Sequence, residues 1–208
     1  MNTHDLQQVR PGFTHEALGS QAVFRAALDA LSHPGRLQQI PATGGSPRTG
    51  HAAAASLLLA TLDADCSVWL SPTLRASDAA AWLRFHTGCQ LVDAPEEALF
   101  LWIAQGDHAP ELQQLMSGSD AYPDQSATCV IEVMAMNDAA HSAAPWTLQG
   151  PGIATHTRLS VDGAPTAFEA QWERNHASFP RGVDVFLATA THIAGLPRTT
   201  RITQAMES

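Results

Sequence analysis

The sequence predicts an α/β fold, a mixed sheet flanked by helices. Two observations carry that expectation. Apolar residues recur at helical spacing near the start, at Val23, Phe24, Ala27, Leu28 and Leu31, and again at Ala79, Trp82 and Leu83. Short β-type runs, "CSVWLS", "ALFLWIA" and "ATCVIEV", lie between and after these segments, and strands dominate the end of the last third. Interleaving of the two periods is the pattern of a layered α/β domain. At 208 residues, 45% of them hydrophobic, one domain over 1–208 is expected.

In chain order, Ser20 is placed to cap the first helix, and "HPG" from His33 to Gly35 stops it. The Gly- and Pro-rich "PATGGSPRTGH" reads as an irregular loop, and "HAAAASLLLATL", apolar nearly all round, as a buried helix. "CSVWLS" follows as a strand. A helix from Arg75 to His86 should end at Gly88, where a left-handed cap falls, which makes "LRFHTG" its last turn. Next come a strand over Ala98 to Ala104, a short helix around Glu111 to Met116, and a strand over Ala127 to Val133. After "WTLQGPGI", a strand near Thr157 to Val161 precedes a helix carrying Phe168 and Trp172 one turn apart. Val183, Val185 and Leu187 then alternate with Asp184 and Phe186, a strand period, and a turn at Thr191-His192 leads to a last short strand into Leu196-Pro197.

Composition removes whole classes of function. A formal charge of -9 and a pI near 5.4 oppose the basic footprint that nucleic acid requires. All 11 basic residues are arginines, so a Schiff base, an internal aldimine to pyridoxal phosphate, a Walker lysine and a Ser-Lys dyad are all ruled out. Any anion must be held by arginine or by backbone N–H groups. Cys66, Cys89 and Cys129 are widely spaced and odd in number, giving neither a disulfide framework nor a C-x-x-C motif. The opening "MNTHDLQQVRPGF" has no apolar leader core, and the apolar run Ala52 to Leu62 is far short of the roughly 20 residues of a membrane span. A soluble, cytoplasmic protein with no membrane or nucleic-acid partner is expected.

Three motifs offer chemistry. "LRFHTGC" could be a Cys-His pair or half a metal site, but Arg84 and His86 do not face each other on a helix, Cys89 lies past the cap, and no second ligand pair has suitable spacing. A helix end, with His86 favouring the dipole, is the competing reading. "GPGI", Gly150 to Ile153, is a G-x-G after a strand that can bring backbone close to a phosphate, although Thr155 stands where a dinucleotide fingerprint needs its third glycine. "FPRGVDV" and "LPRTT" offer Arg181 and Arg198, the latter beside Thr199 and Thr200, a pairing suited to an oxyanion; Asp184 is an available ionic partner instead. There is no G-x-S-x-G elbow and no H-E-x-x-H helix.

Six blocks in order, "SQAVFRAALDALSHPG", "LLLATLDADCSVWL", "WLRFHTGCQLV", "PDQSATCVIEV", "LQGPGI" and "FPRGVDVFLA" with "LPRTT", resemble the PhnH family of the bacterial carbon-phosphorus lyase system over nearly the whole chain. The resemblance implies a core complex with PhnG, PhnI and PhnJ that acts on phosphonates, beginning with displacement of adenine from ATP to give a ribose 1-phosphonate 5-triphosphate. It also implies a homodimer whose fold is related to the pyridoxal-phosphate transferases without that cofactor, in line with the absent lysine. Alanine is common in the family at the position of Cys89, which makes that thiol dispensable. Arg84, His86, Thr87, Gly150, Gly152, Arg198, Thr199 and Thr200 match family strings and form the candidate ligand-binding set, for a nucleotide or a phosphonate; no catalytic residue, metal ligand or cofactor is assigned. Three readings stay open: a largely noncatalytic subunit that shapes the complex, a subunit with its own nucleotide or phosphonate site, and a stand-alone hydrolase or transferase with a scattered site.

Overall fold

The computed structural model describes residues 9–42, 44–138 and 145–204; the polar opening segment 1–8 and Thr43 of the Gly- and Pro-rich loop lie outside them. The elements are α1 (Glu16–Ser32), β1 (Gln38–Gln39), α2 (Ala52–Thr61), β2 (Ser67–Leu70), α3 (Pro72–Arg75), α4 (Asp78–Thr87), β3 (Gln90–Leu91), β4 (Phe100–Ile103), β5 (Thr128–Glu132), β6 (Ala135–Asp138), β7 (Trp146–Gln149), β8 (Thr157–Asp162), α5 (Phe168–Ala177), β9 (Asp184–Ala188), β10 (His192–Leu196) and β11 (Arg201–Gln204). The mixed α/β architecture expected from the sequence is present. Among the described residues no helix is long and apolar enough to cross a membrane.

Seven strands form the main sheet in the order β1-β10-β9-β5-β4-β2-β3. From β3 to β9 neighbours are parallel, whereas β10 and β1 join antiparallel. A smaller antiparallel sheet has the order β11-β7-β8-β6.

Strand alternation divides the core between the two faces of the main sheet. Trp102, Val130 and Phe186 pack with Val23 and Ala27 of α1, Leu57 and Leu58 of α2, and Trp82 and Leu83 of α4. Their neighbours Leu101, Ile103, Cys129, Ile131, Val185 and Leu187 pack on the other face with Trp146, Leu148 and Leu159 of the small sheet and Phe168 and Trp172 of α5. Both faces being covered, the central strands are nearly continuous apolar runs. Trp82, Trp102 and Trp172 are fully buried, and truncating such a side chain costs about 3–5 kcal/mol.

Several expectations are corrected. The first helix begins at Glu16, ahead of Ser20, because Phe13 packs so tightly on Gly19 that a Cβ there would lie 2.9 Å from its ring; the chain is already seated at His15, and Ser20 lies inside the helix. The helix expected from Arg75 to His86 starts only at Asp78, since Arg75 closes the short α3 and the Ser77 hydroxyl accepts from the Ala79 N–H to start α4 afresh. The segment around Glu111 to Met116 forms only a 3-10 turn at Leu112–Gln114. After Leu196-Pro197 the chain makes a further strand, β11, in the small sheet.

Candidate functional site

β3 and β4 lie on opposite sides of β2, so the chain reverses direction across the sheet between β2 and β4. In open α/β sheets a crevice forms at the carboxyl ends of such strands. There Glu132 ends β5, only 3% exposed. It accepts from the His51 N–H at 2.5 Å, the Trp102 Nε1–H at 2.8 Å and the Gln105 N–H at 3.3 Å. His51 precedes α2 without a side-chain cap of its own, so a carboxylate from another element faces that helix's positive end. His51 Nδ1 lies 3.1 Å from the Ala188 carbonyl; a carbonyl only accepts, so Nδ1 carries a proton. Nε2 lies 4.0 Å from Glu132 Oε2.

Two more carboxylates pin loops at this end of the sheet. Asp78 accepts from the Arg48 and Thr49 N–H groups, and Asp107 accepts from the N–H and hydroxyl of Thr73. Burial pushes the Asp107 carboxyl up, but hydrogen bonds from the Ser71 and Thr73 hydroxyls and the Thr73 N–H prevail and hold it below its ordinary value. The buried cluster around Glu132 was missed in the sequence. Its one signal was a carboxylate, Glu132, inside the strand-like "ATCVIEV".

The candidate residues named from the sequence fall into two groups. Arg84, His86 and Thr87 close α4, with Gly88 as a left-handed cap at φ 73°. Arg84 is exposed. His86 Nε2 lies 2.9 Å from the Arg10 carbonyl and its ring stands edge-on to Trp82 and Phe85, fastening the amino-terminal segment to the helix. The Thr87 hydroxyl donates to the Leu83 carbonyl and accepts from the Cys89 N–H. His86 and Thr87 border a cavity of about 390 Å³ whose wall also carries Glu16 and Asp63.

Gly150, Gly152, Arg198, Thr199 and Thr200 come together elsewhere. A Cβ on Gly150 would lie 2.8 Å from the Thr199 carbonyl oxygen, and one on Gly152 2.0 Å from that of Ser32. The glycines thus admit the protein's own backbone. Arg198 spends its five N–H donors on Asp184 Oδ1 and Oδ2, the Ser126 hydroxyl and the Pro123 and Pro180 carbonyls. Arg181 pairs separately with Asp120. Thr200 is buried; its carbonyl accepts from Trp172 Nε1–H, while its hydroxyl has no partner among the described residues.

The two groups cannot share one ligand. β3, which follows Thr87, and β10, which precedes Arg198, stand five positions apart in the sheet, on the order of 24 Å at about 4.8 Å per step. Among the described residues no three His, Cys, Asp or Glu side chains cluster as a metal site. Burial pushes the Cys89 and Cys66 thiols up, and complete burial takes Cys129 up to about 12. None has the lowered thiol of a catalytic cysteine.

Fold and site together define a mixed-sheet α/β protein whose strand-end polar groups chiefly tie its own loops. The family described as bacterial phosphonate metabolism protein (PhnH) matches residues 11–203, and the chain belongs to the PhnH family. It is 34% identical over 190 residues to the alpha-D-ribose 1-methylphosphonate 5-triphosphate synthase subunit PhnH of Rhizobium meliloti (strain 1021), covering 91% of this chain and 93% of that one. It is 32% identical over 187 residues to the putative C-P lyase subunit protein HtxG of Stutzerimonas stutzeri, covering 90% and 87%.

Proposed function

We propose that this chain is a subunit of an assembly that makes α-D-ribose 1-methylphosphonate 5-triphosphate in phosphonate catabolism, and that its part is to shape and stabilise the assembly. End-to-end correspondence with the R. meliloti subunit carries the reading. The occupied donors of Arg198 support an assembly role over a private oxyanion site, as do Phe24 and Leu28, exposed one turn apart on α1. PhnG, PhnI and PhnJ are the partners in this proposal, the chain itself pairs as a homodimer in the cytoplasm, and the seven-stranded mixed sheet is related to that of the pyridoxal-phosphate transferases.

The test is copurification of tagged protein with PhnG, PhnI and PhnJ, then an assay of adenine release from ATP and methylphosphonate with and without this chain. A stable complex whose adenine release depends on the chain supports the proposal. Full-rate turnover without it overturns it. A second reading, a nucleotide or phosphonate site on this chain, rests on Arg84, which is exposed and has no ion-pair partner among the described residues. Arg84→Ala should then abolish ligand binding and leave assembly intact.

A further inference from the structure

Cys66 and Cys89, far apart in sequence, immediately precede two paired strands, β2 and β3. β2 and β3 pair in the register Ser67↔Gln90 and Val68↔Leu91, and the Gln90 N–H donates to the Cys66 carbonyl at 2.9 Å. One residue back along both strands, the same register sets Cys66 opposite Cys89. Residues opposite each other in a parallel ladder share a face, and Cys66, Val68, Cys89 and Leu91 all pack into the helix-side core. The strand spacing of about 4.8 Å falls inside the Cα separation of about 4.4–6.8 Å that a disulfide takes. Access is unequal, for Cys89 is buried and Cys66 only half-buried.

We propose that Cys66 and Cys89 are a modification site, forming a reversible intramolecular disulfide on exposure to a hydroperoxide. The Cys66 thiolate attacks the peroxide: a sulfur–oxygen bond forms, the oxygen–oxygen bond breaks, and the departing oxygen takes a proton and leaves as water, or as an alcohol from an organic peroxide. Cys66 is then a sulfenic acid. The Cys89 sulfur attacks it, the sulfur–sulfur bond forms, and the sulfenic oxygen leaves as water with the proton of Cys89. The two thiols together lose two electrons and the peroxide gains two. A dithiol reductant reverses the step by exchange.

The bond would close a loop that contains α3 and α4, and with them Arg84, His86 and Thr87. It would also fasten β3, an edge strand of two residues, to β2. Burial first, and then the hydrogen bond to and charge of Asp63, keep the Cys66 thiol up. The reaction therefore quickens with rising pH, and Asp63→Asn should speed it at fixed pH.

The test uses the intact protein treated with hydrogen peroxide, quenched with iodoacetamide and mapped without reduction. With no lysine, trypsin cuts only after arginine, leaving Cys66 in peptide 49–75 and Cys89 in peptide 85–158, which also holds Cys129. The expected product joins these two peptides with the loss of two hydrogens. It should vanish on reduction, be absent from Cys66→Ser and Cys89→Ala, and persist in Cys129→Ala, each variant first checked for a native circular dichroism spectrum. The proposal is overturned if peroxide converts Cys66 to a sulfinic acid while Cys89 stays open to alkylation after unfolding, if neither thiol is oxidised, or if the link runs to Cys129.

Discussion

Arg198 and Asp184 meet as a bidentate pair, Nη2 2.6 Å from Oδ2 and Nε 3.1 Å from Oδ1, with side chains only 11% and 24% exposed. Asp184 Oδ1 also accepts the backbone N–H of Arg198 at 2.7 Å. Asp184 opens β9 and Arg198 follows β10, so the pair locks the turn to the start of its neighbouring strand. The remaining donors hold Pro123, Ser126 and Pro180.

Arg198→Ala should therefore lower stability by about 2–4 kcal/mol, because it strands a largely buried carboxylate and frees three segments at once. Arg198→Lys should recover little of this, since an ammonium cannot replace a planar fork. Urea midpoints measure both. An unchanged midpoint in Arg198→Ala, together with lost ligand binding, would return this arginine to the ligand-binding reading.

Glu132→Gln should cost about 1–3 kcal/mol, because an amide has one accepting oxygen where three N–H donors converge, and its own NH2 then faces donors. The loss should localise. Amides in the first turn of α2, whose entry Glu132 holds through the His51 N–H, should exchange faster than those of α5. Uniform loss of protection across both helices would contradict this anchoring role.

Much of the fold was legible because its signals are local. The helix-breaking "HPG", the Gly88 cap and the alternation Val183 to Leu187 each depend on near neighbours, and each element formed. The extent of β3 and β6 was not legible, for two- and four-residue strands are fixed by the partners they reach in space. The same holds for the site. "LPRTT" advertised an oxyanion pairing, yet what occupies Arg198 comes from Asp184, Ser126 and Pro123, residues up to 75 positions away. The buried cluster around Glu132 was hidden for the converse reason, since its donors are mostly backbone N–H groups that carry no sequence signature.

Gly152→Ala separates close packing from simple backbone strain. Gly152 has φ 83° and a Cβ there would lie 2.0 Å from the Ser32 carbonyl oxygen; Gly106 has φ 84° with nothing within 4 Å. Gly106→Ala should cost only the left-handed penalty of roughly 1–2 kcal/mol. Gly152→Ala must also push the "GPGI" turn away from the end of α1, and should exceed it by at least about 1 kcal/mol. Equal costs in thermal unfolding would show that the turn moves freely, as a flexible anion-binding loop would.

Asp107 ties the loop after β4 to Thr73 at the start of α3, and its lowered carboxyl sets how that tie responds to acid. A carboxyl held below its unfolded value, about 3.9, stabilises the folded state fully above that value. The contribution is lost as pH falls through the still lower folded value, because the unfolded chain takes up the proton first. Wild type should therefore be more stable than Asp107→Asn by a constant margin from about pH 5 to 8, and the margin should shrink towards zero below pH 3 as Asp107 itself becomes neutral. Taking the difference between the two proteins cancels the titration of the other carboxylates. The measurement is paired urea unfolding across that range, and a margin that stays constant down to the lowest pH would mean that the Thr73 hydrogen bonds do not distinguish the charged carboxylate from the neutral acid.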